Sequence, residues 1–136
     1  MMGTLTGAFQ AVRAFHKAFN HPAPDRPTMI PPERVEQRAG FSDEENQEFR
    51  DATTLVDQVD AALDKLYFAL GDLVELGIDP SPLFDIVQGA NMAKLGPDGK
   101  PIPHPTIPGK TGKPPGWIPP EAALAAEVQR QIEAAG

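Results

Sequence analysis

From Glu44 to Asp64 the chain reads E-E-N-Q-E-F-R-D-A-T-T-L-V-D-Q-V-D-A-A-L-D, a stretch with helical periodicity and carboxylates in unusual seats. Read as helix at about 100° per residue, Phe41, Glu45, Glu48 and Ala52 follow one another at i, i+4, i+7 and i+11. A core-facing helix carries leucines along such a seam. Here two carboxylates hold the middle seats, with Glu44 beside them, while Asp43, Asn46, Gln47 and Arg50 already furnish a solvent side. Past Thr53-Thr54, residues Asp57, Asp60 and Asp64 fall within about 60° of arc. They border an apolar stripe of Val56, Val59, Leu63, Leu66, Leu70 and Leu73. Carboxylates aimed at a helix–helix interface do not stay there ionised and unpaired. Hard divalent cations, which prefer oxygen ligands, are the natural compensation.

Working outward, Leu5, Ala8, Phe9, Val12, Phe15 and Phe19 form a helical stripe over 4–19, with Thr4 as its cap. His16 lies at the edge of that stripe and reads as a rim histidine with one local hydrogen bond. A proline-studded connector (20–31) leads to Pro31-Pro32, which open a second helix running to about Ala52. A third helix is expected from Leu55 to Leu76, ended by Gly77. A fourth follows Asp79-Pro-Ser-Pro, with Ser81 as cap, and runs to Lys94. Between Leu95 and Pro120 nine of the sixteen prolines gather with five glycines, so neither a helix nor a central strand survives there. Ile102, Ile107, Trp117 and Ile118 are apolar anchors that a pure linker lacks, which favours an extended arm packed on the body. An alanine-rich last helix closes the chain. The expectation is an all-α protein: a helical bundle over 1–94, an extended Pro/Gly-rich C-terminal arm over 95–120, and a short terminal helix over 121–136.

At 136 residues the chain has the length of one domain. It has no cysteine, which excludes a disulfide framework, a thiolate nucleophile and a zinc–thiolate site, and fits a cytoplasmic protein. No apolar run approaches membrane-spanning length, and the N-terminus lacks a signal-peptide pattern. The net charge is −7, yet residues 94–118 carry a local +3 from Lys94, Lys100, Lys110 and Lys113 against Asp98. The acidic remainder argues against a nucleic-acid polymer as partner. It suits instead a metal-bridged phosphate on a small molecule.

Two i, i+3 pairs, Glu45/Glu48 and Asp57/Asp60, can deliver four carboxylates to one point in a bundle groove, a common way for bundles to build metal sites. No Glu-x-x-His exists, and His16, His21 and His104 stand apart from the acidic helices in sequence. Oxygen-only ligation points to Mg²⁺ or Mn²⁺, ions that share their sphere with water and substrate phosphates. Glu44 is then the candidate general base. A Walker loop, a G-x-S-x-G elbow and a kinase signature are absent. Two alternatives stand beside this reading. Asp57 also completes a Thr54-x-x-Asp57 capping box, and the whole cluster also reads as a solvated acidic face.

The motifs carry a resemblance. Glu44-Glu45-x-x-Glu48 followed by Asp57-x-x-Asp60 resembles the E-E-x-x-E and E-x-x-D signature of the MazG-like, all-α nucleoside triphosphate pyrophosphohydrolases, the superfamily of dUTPase-like and phosphoribosyl-ATP pyrophosphohydrolase-like enzymes. R-A-G-F-S-D-E-E-N-Q-E is similar to its R-x-x-L-I-x-E-E-x-x-E, with Arg38 in the arginine place, and D-A-A-L-D-K-L-Y to its D-A-L-x-D-L-L-Y. F-H-K-A-F, A-N-M-A-K, D-G-K and the ending at Gly109–Trp117 extend the likeness nearly to Pro120. Asp57 stands where the family carries glutamate, and the gap of eight residues between Glu48 and Asp57 is shorter than usual. The resemblance implies Mg²⁺ or Mn²⁺ on Glu45, Glu48, Asp57 and Asp60, and water activation by Glu44. It implies substrate contacts from Asn91 and Lys94. Arg38, Asp64, Lys100, Lys110 and Lys113 are further substrate-binding candidates. The activity expected is cleavage of a (deoxy)nucleoside triphosphate, with dUTP or dCTP leading, to monophosphate and pyrophosphate by a homodimer or homotetramer. The rival is a non-enzymatic helical protein that keeps the acidic groove for a nucleotide or a protein partner.

Overall fold

The structure is a computed structural model and describes residues 4–136. Helix α1 spans Leu5–Ala18, and the Thr4 hydroxyl accepts the Gly7 N–H at 3.0 Å to cap it. α2 spans Pro32–Asp51, entered through Pro31 and Pro32, whose missing N–H groups cost nothing in a first turn. It stops where Ala52 turns extended. Thr54 then caps α3 (Leu55–Glu75) by accepting the Asp57 N–H at 3.1 Å. The link Ala52–Thr54 is so short that α2 and α3 form an antiparallel hairpin, and Phe41 accordingly meets Phe68 with ring centroids 5.6 Å apart. α4 spans Pro80–Met92 and α5 Glu121–Ala134.

The chain divides into two compact units. The first comprises residues up to Pro80 together with Gln131–Gly136. Its core is Phe9 and Val12 of α1 against Leu70 and Val74 of α3, ringed by Leu5, Ala8, Ala23 and Leu73. Each of these four buried side chains contributes roughly 1.5–3 kcal/mol relative to exposure. Behind α3, Gly77 takes a positive φ of 64°, and a side chain there would run into the Arg26 carbonyl. The connector is thus held close, with the Thr28 N–H on the Leu76 carbonyl at 2.9 Å. The Gln131 amide exchanges two hydrogen bonds with the Asp79 backbone, at 2.9 and 3.0 Å, and ties the chain's end to the same unit.

The second unit, Ser81–Arg130, holds most of α4, the proline-rich arm and the start of α5. The division falls just inside the start of α4, between Pro80 and Ser81. The arm has no helix and one isolated bridge, Pro103 with Thr111. It is pinned to α4 by the Trp117 indole N–H, which donates to the Ala90 carbonyl at 2.8 Å.

The apolar stripe of α3 departs from expectation. Only Leu70 is buried and Leu73 half-buried, while Val56, Val59, Leu63 and Leu66 are exposed, Val56 at 72%. The reason is length: α1 is about 21 Å long and α3 about 31 Å, so α1 covers only the C-terminal half of α3. Phe15 and Phe19, expected in the α1 stripe, lie beyond the core and pack on each other with tilted rings, centroids 4.5 Å apart. His16 departs the other way. It is buried, not at the rim, and Nδ1 donates to the Pro22 carbonyl at 2.9 Å.

Candidate metal-binding site

On α2 the residues Arg34, Arg38, Phe41, Glu45 and Glu48 recur at i, i+4, i+7, i+11 and i+14, one helical face. α3 meets them in reverse order with Glu75, Asp72, Phe68 and Asp64. One oxygen each from Glu45, Glu48 and Asp64 come together, all within 4.8 Å of one another. Asp64 and Glu45 are half-buried and Glu48 is exposed, so the cluster opens to solvent on one side.

The electrostatics of this cluster are unfavourable as it stands. Burial, then the adjoining Glu48 carboxyl, then the charges of Asp64 and Glu44 push Glu45 up to about 7. Burial, then the charges of Asp60 and Glu48, raise Asp64 as well, against a smaller lowering from its hydrogen bond with Glu45. Glu45 Oε2 is buried and has no hydrogen-bond partner among the described residues. Neither Glu45, Glu48 nor Asp64 forms an ion pair there. A buried, unpartnered carboxylate oxygen beside two further carboxylates fits a hard divalent cation, which would satisfy all three at once. The donors are oxygens only, with neither imidazole nor thiolate among them.

The expected site residues are distributed unevenly. Glu45 and Glu48 lie where the spacing places them. Asp64, expected at the substrate, joins them in the cluster. Asp57 and Asp60 line the adjoining open groove of about 370 Å³ with Glu48, Asp51, Ala52 and Ala61. The Asp57 N–H also makes the cap bond to Thr54, and Asp57 is not among the three residues of the cluster. Glu44 is exposed next to Glu45.

Arg38, a substrate-binding candidate in the sequence, sits inside an ion-pair network. It is 5% exposed, and its guanidinium donates to Asp72 Oδ1 at 2.5 Å, Glu75 Oε2 at 2.7 Å and the Phe68 carbonyl at 3.0 Å. Arg34 grips the same Glu75 with two bonds of 2.9 and 2.8 Å. Burial alone would raise Glu75, but the Arg34 hydrogen bond and the charges of Arg38 and Arg34 hold it below the usual carboxylate range. Sequence reasoning missed this arginine–glutamate lock. Its signal was the continuation of the acidic seam backward from Phe41 to Arg38 and Arg34.

Asn91, Lys94, Lys100, Lys110 and Lys113 belong to the second unit. There Lys94 and Lys113 both approach the Trp117 ring, with Nζ 5.3 and 4.8 Å from its centroid. Asn91 lies exposed in α4. Lys100 and Lys110 take part in the arm's turns through their backbones, Gly96 N–H to the Lys100 carbonyl and His104 N–H to the Lys110 carbonyl.

Three comparisons bear on this geometry. The model of the family described as phosphoribosyl-ATP pyrophosphohydrolase matches residues 12–91, a span that includes all the carboxylates above. Among solved structures, the chain is similar to a "putative NTP pyrophosphohydrolase" from Exiguobacterium sp. 255-15. The two are 37% identical over 95% of this chain and 98% of that one, with a TM-score of 0.53. No curated protein matches.

Proposed function

We propose that this chain, which belongs to the phosphoribosyl-ATP pyrophosphohydrolase family, hydrolyses a (deoxy)nucleoside triphosphate to its monophosphate and pyrophosphate, with a pyrimidine deoxynucleotide such as dUTP or dCTP as the leading substrate. The wider group is the MazG-like all-α NTP pyrophosphohydrolases, and the enzyme class is a pyrophosphohydrolase acting on nucleotides. The observation that carries the finer reading is the cluster of Glu45, Glu48 and Asp64 with its orphaned buried oxygen.

Glu45, Glu48 and Asp64 would hold Mg²⁺, or Mn²⁺, with Asp60 and Asp57 lining the groove beside them. When bound, such an ion neutralises phosphate charge and makes a coordinated water more acidic. Glu44, exposed next to Glu45, accepts the proton of the attacking water. The new P–O bond forms at the α-phosphorus as the bond to the bridging oxygen breaks, and pyrophosphate leaves. Asn91, Lys94, Lys100, Lys110 and Lys113, all in the second unit, are proposed nucleotide-contacting residues on the family resemblance.

The exposed stripe of Val56, Val59, Leu63 and Leu66, continued by Leu55 at 80% exposure, supports a homodimer or higher homo-oligomer paired through α3. No helix among the described residues is long and apolar enough to cross a membrane, and the cysteine-free composition supports a cytoplasmic setting.

The test is pyrophosphate release across a panel of nucleoside and deoxynucleoside triphosphates, with Mg²⁺ and with chelator. Release that needs the metal and is lost in Glu45→Gln supports the reading. No release from any nucleotide, with tight nucleotide binding retained, replaces it by a binding role.

A further inference from the structure

The carboxylate cluster is assembled by two helices that share little apolar surface. α2 fully buries a single side chain, and it is Arg38. At the cluster end the like charges push α2 and α3 apart when no cation is present. The Phe41–Phe68 pair attracts the helices but is tolerant of sliding. Something directional must therefore fix which turn of α2 faces which turn of α3.

Arg38 has that capacity. Its Nε, Nη1 and Nη2 reach Asp72, Glu75 and the Phe68 carbonyl, three acceptors on one face of α3. A planar guanidinium with donors pointing three ways sets both the axial position and the rotation of the helix that carries it. A slip of one residue would move α2 by about 1.5 Å and break all three bonds. α3 is shaped to receive the group. A methyl on Gly71 would overlap the Arg38 guanidinium and stand 3.0 Å from His16 Nε2. Arg34 braces the same Glu75, so the acceptor itself is fixed.

We propose that Arg38, seated over Gly71, is a positioning residue that sets the register of α2 against α3 and so brings Glu45, Glu48 and Asp64 to cation-binding distance. It acts from two turns away, about 10 Å along α2. The proposal rests on the metal reading of the cluster given above.

The experiment is a Mn²⁺ titration of the full chain followed by electron paramagnetic resonance, at a low temperature where circular dichroism shows each variant folded. Outer residues that orient ligands typically change metal affinity by roughly 10–100-fold. Arg38→Lys, which keeps the charge but loses the fork, and Gly71→Ala, which displaces it from the other helix, should each weaken Mn²⁺ by such a factor. Asp72→Asn, at a half-exposed side chain, should weaken it several-fold. Arg13→Ala, which breaks a surface pair with Asp25, should leave it unchanged. A purely structural role lowers the melting temperature but not the affinity of the folded protein. Unchanged affinity in folded Arg38→Lys overturns the proposal. Where that variant and Gly71→Ala do not fold, unchanged affinity in Asp72→Asn overturns it. A wild type that takes up no Mn²⁺ overturns the metal reading and this proposal together, whereas equal binding by wild type and variants overturns the positioning role alone.

Discussion

Glu45 of α2 and Asp64 of α3 bring carboxylate oxygens within 4.8 Å of each other across the hairpin, with Glu48 completing the group. The juxtaposition is costly without a cation, and the cost makes it testable.

Glu48→Gln keeps the size of the side chain and removes the charge that a hard cation needs. Pyrophosphate release should fall by about 100-fold or more, the upper range for a disturbed metal site, with far-ultraviolet circular dichroism unchanged because Glu48 is exposed. Turnover at the wild-type rate would remove Glu48 from the mechanism.

The metal-free protein should lose stability as the pH rises. Glu45 titrates near 7 in the fold against 4.5 ordinarily. Between those values the unfolded chain has released this proton while the native one still holds it, so the native state is progressively disfavoured. Asp64, raised as well, acts in the same direction. In chelator the melting temperature should be lower at pH 7.5 than at pH 5.5, and Glu45→Gln should flatten that slope. Added Mg²⁺ or Mn²⁺ should restore the wild type at pH 7.5, by about 2.7 kcal/mol at a hundredfold excess over the dissociation constant. A wild-type slope identical to that of Glu45→Gln would show that Glu45 is not strained.

Glu75→Ala should be among the most destabilising single changes in the chain. It leaves Arg34 and Arg38 facing each other with their shared counter-charge gone, and breaking a buried pair this way costs roughly 3–5 kcal/mol. Urea unfolding measures it, and a loss below about 1 kcal/mol would mean that the lock is dispensable for folding.

Self-association should depend on the uncovered half of α3. Wild type is expected to sediment as at least a dimer at micromolar concentration. Leu63→Lys, at a side chain 57% exposed in the single chain, should shift it toward monomer without loss of helicity. A wild-type monomer would contradict the oligomer reading, and a dimer indifferent to Leu63→Lys would move the interface elsewhere.

Much of this molecule is legible along the chain, because helices are local objects. Thr4 and Thr54 as caps, Pro32 in a first turn, Gly77 after α3 and the proline density of the arm act within a few residues, and the observed helix ends follow them to within two residues. The acidic seam was equally visible, since misplaced carboxylates stand out against a 3.6-residue period. What the sequence could not settle is which residues of two helices face each other. Periodicity gives each helix a face but leaves axial register free, so spacing paired Glu45 and Glu48 with Asp57 and Asp60, and left Asp64 outside. The hairpin link and the Arg38 bonds to Asp72, Glu75 and Phe68 set the register that puts Asp64 in the cluster. Burial was decided the same way. Val56 and Leu70 look alike in the stripe, yet only Leu70 lies within reach of the shorter α1, so the tertiary contact, and not the residue type, made one core and left the other as surface.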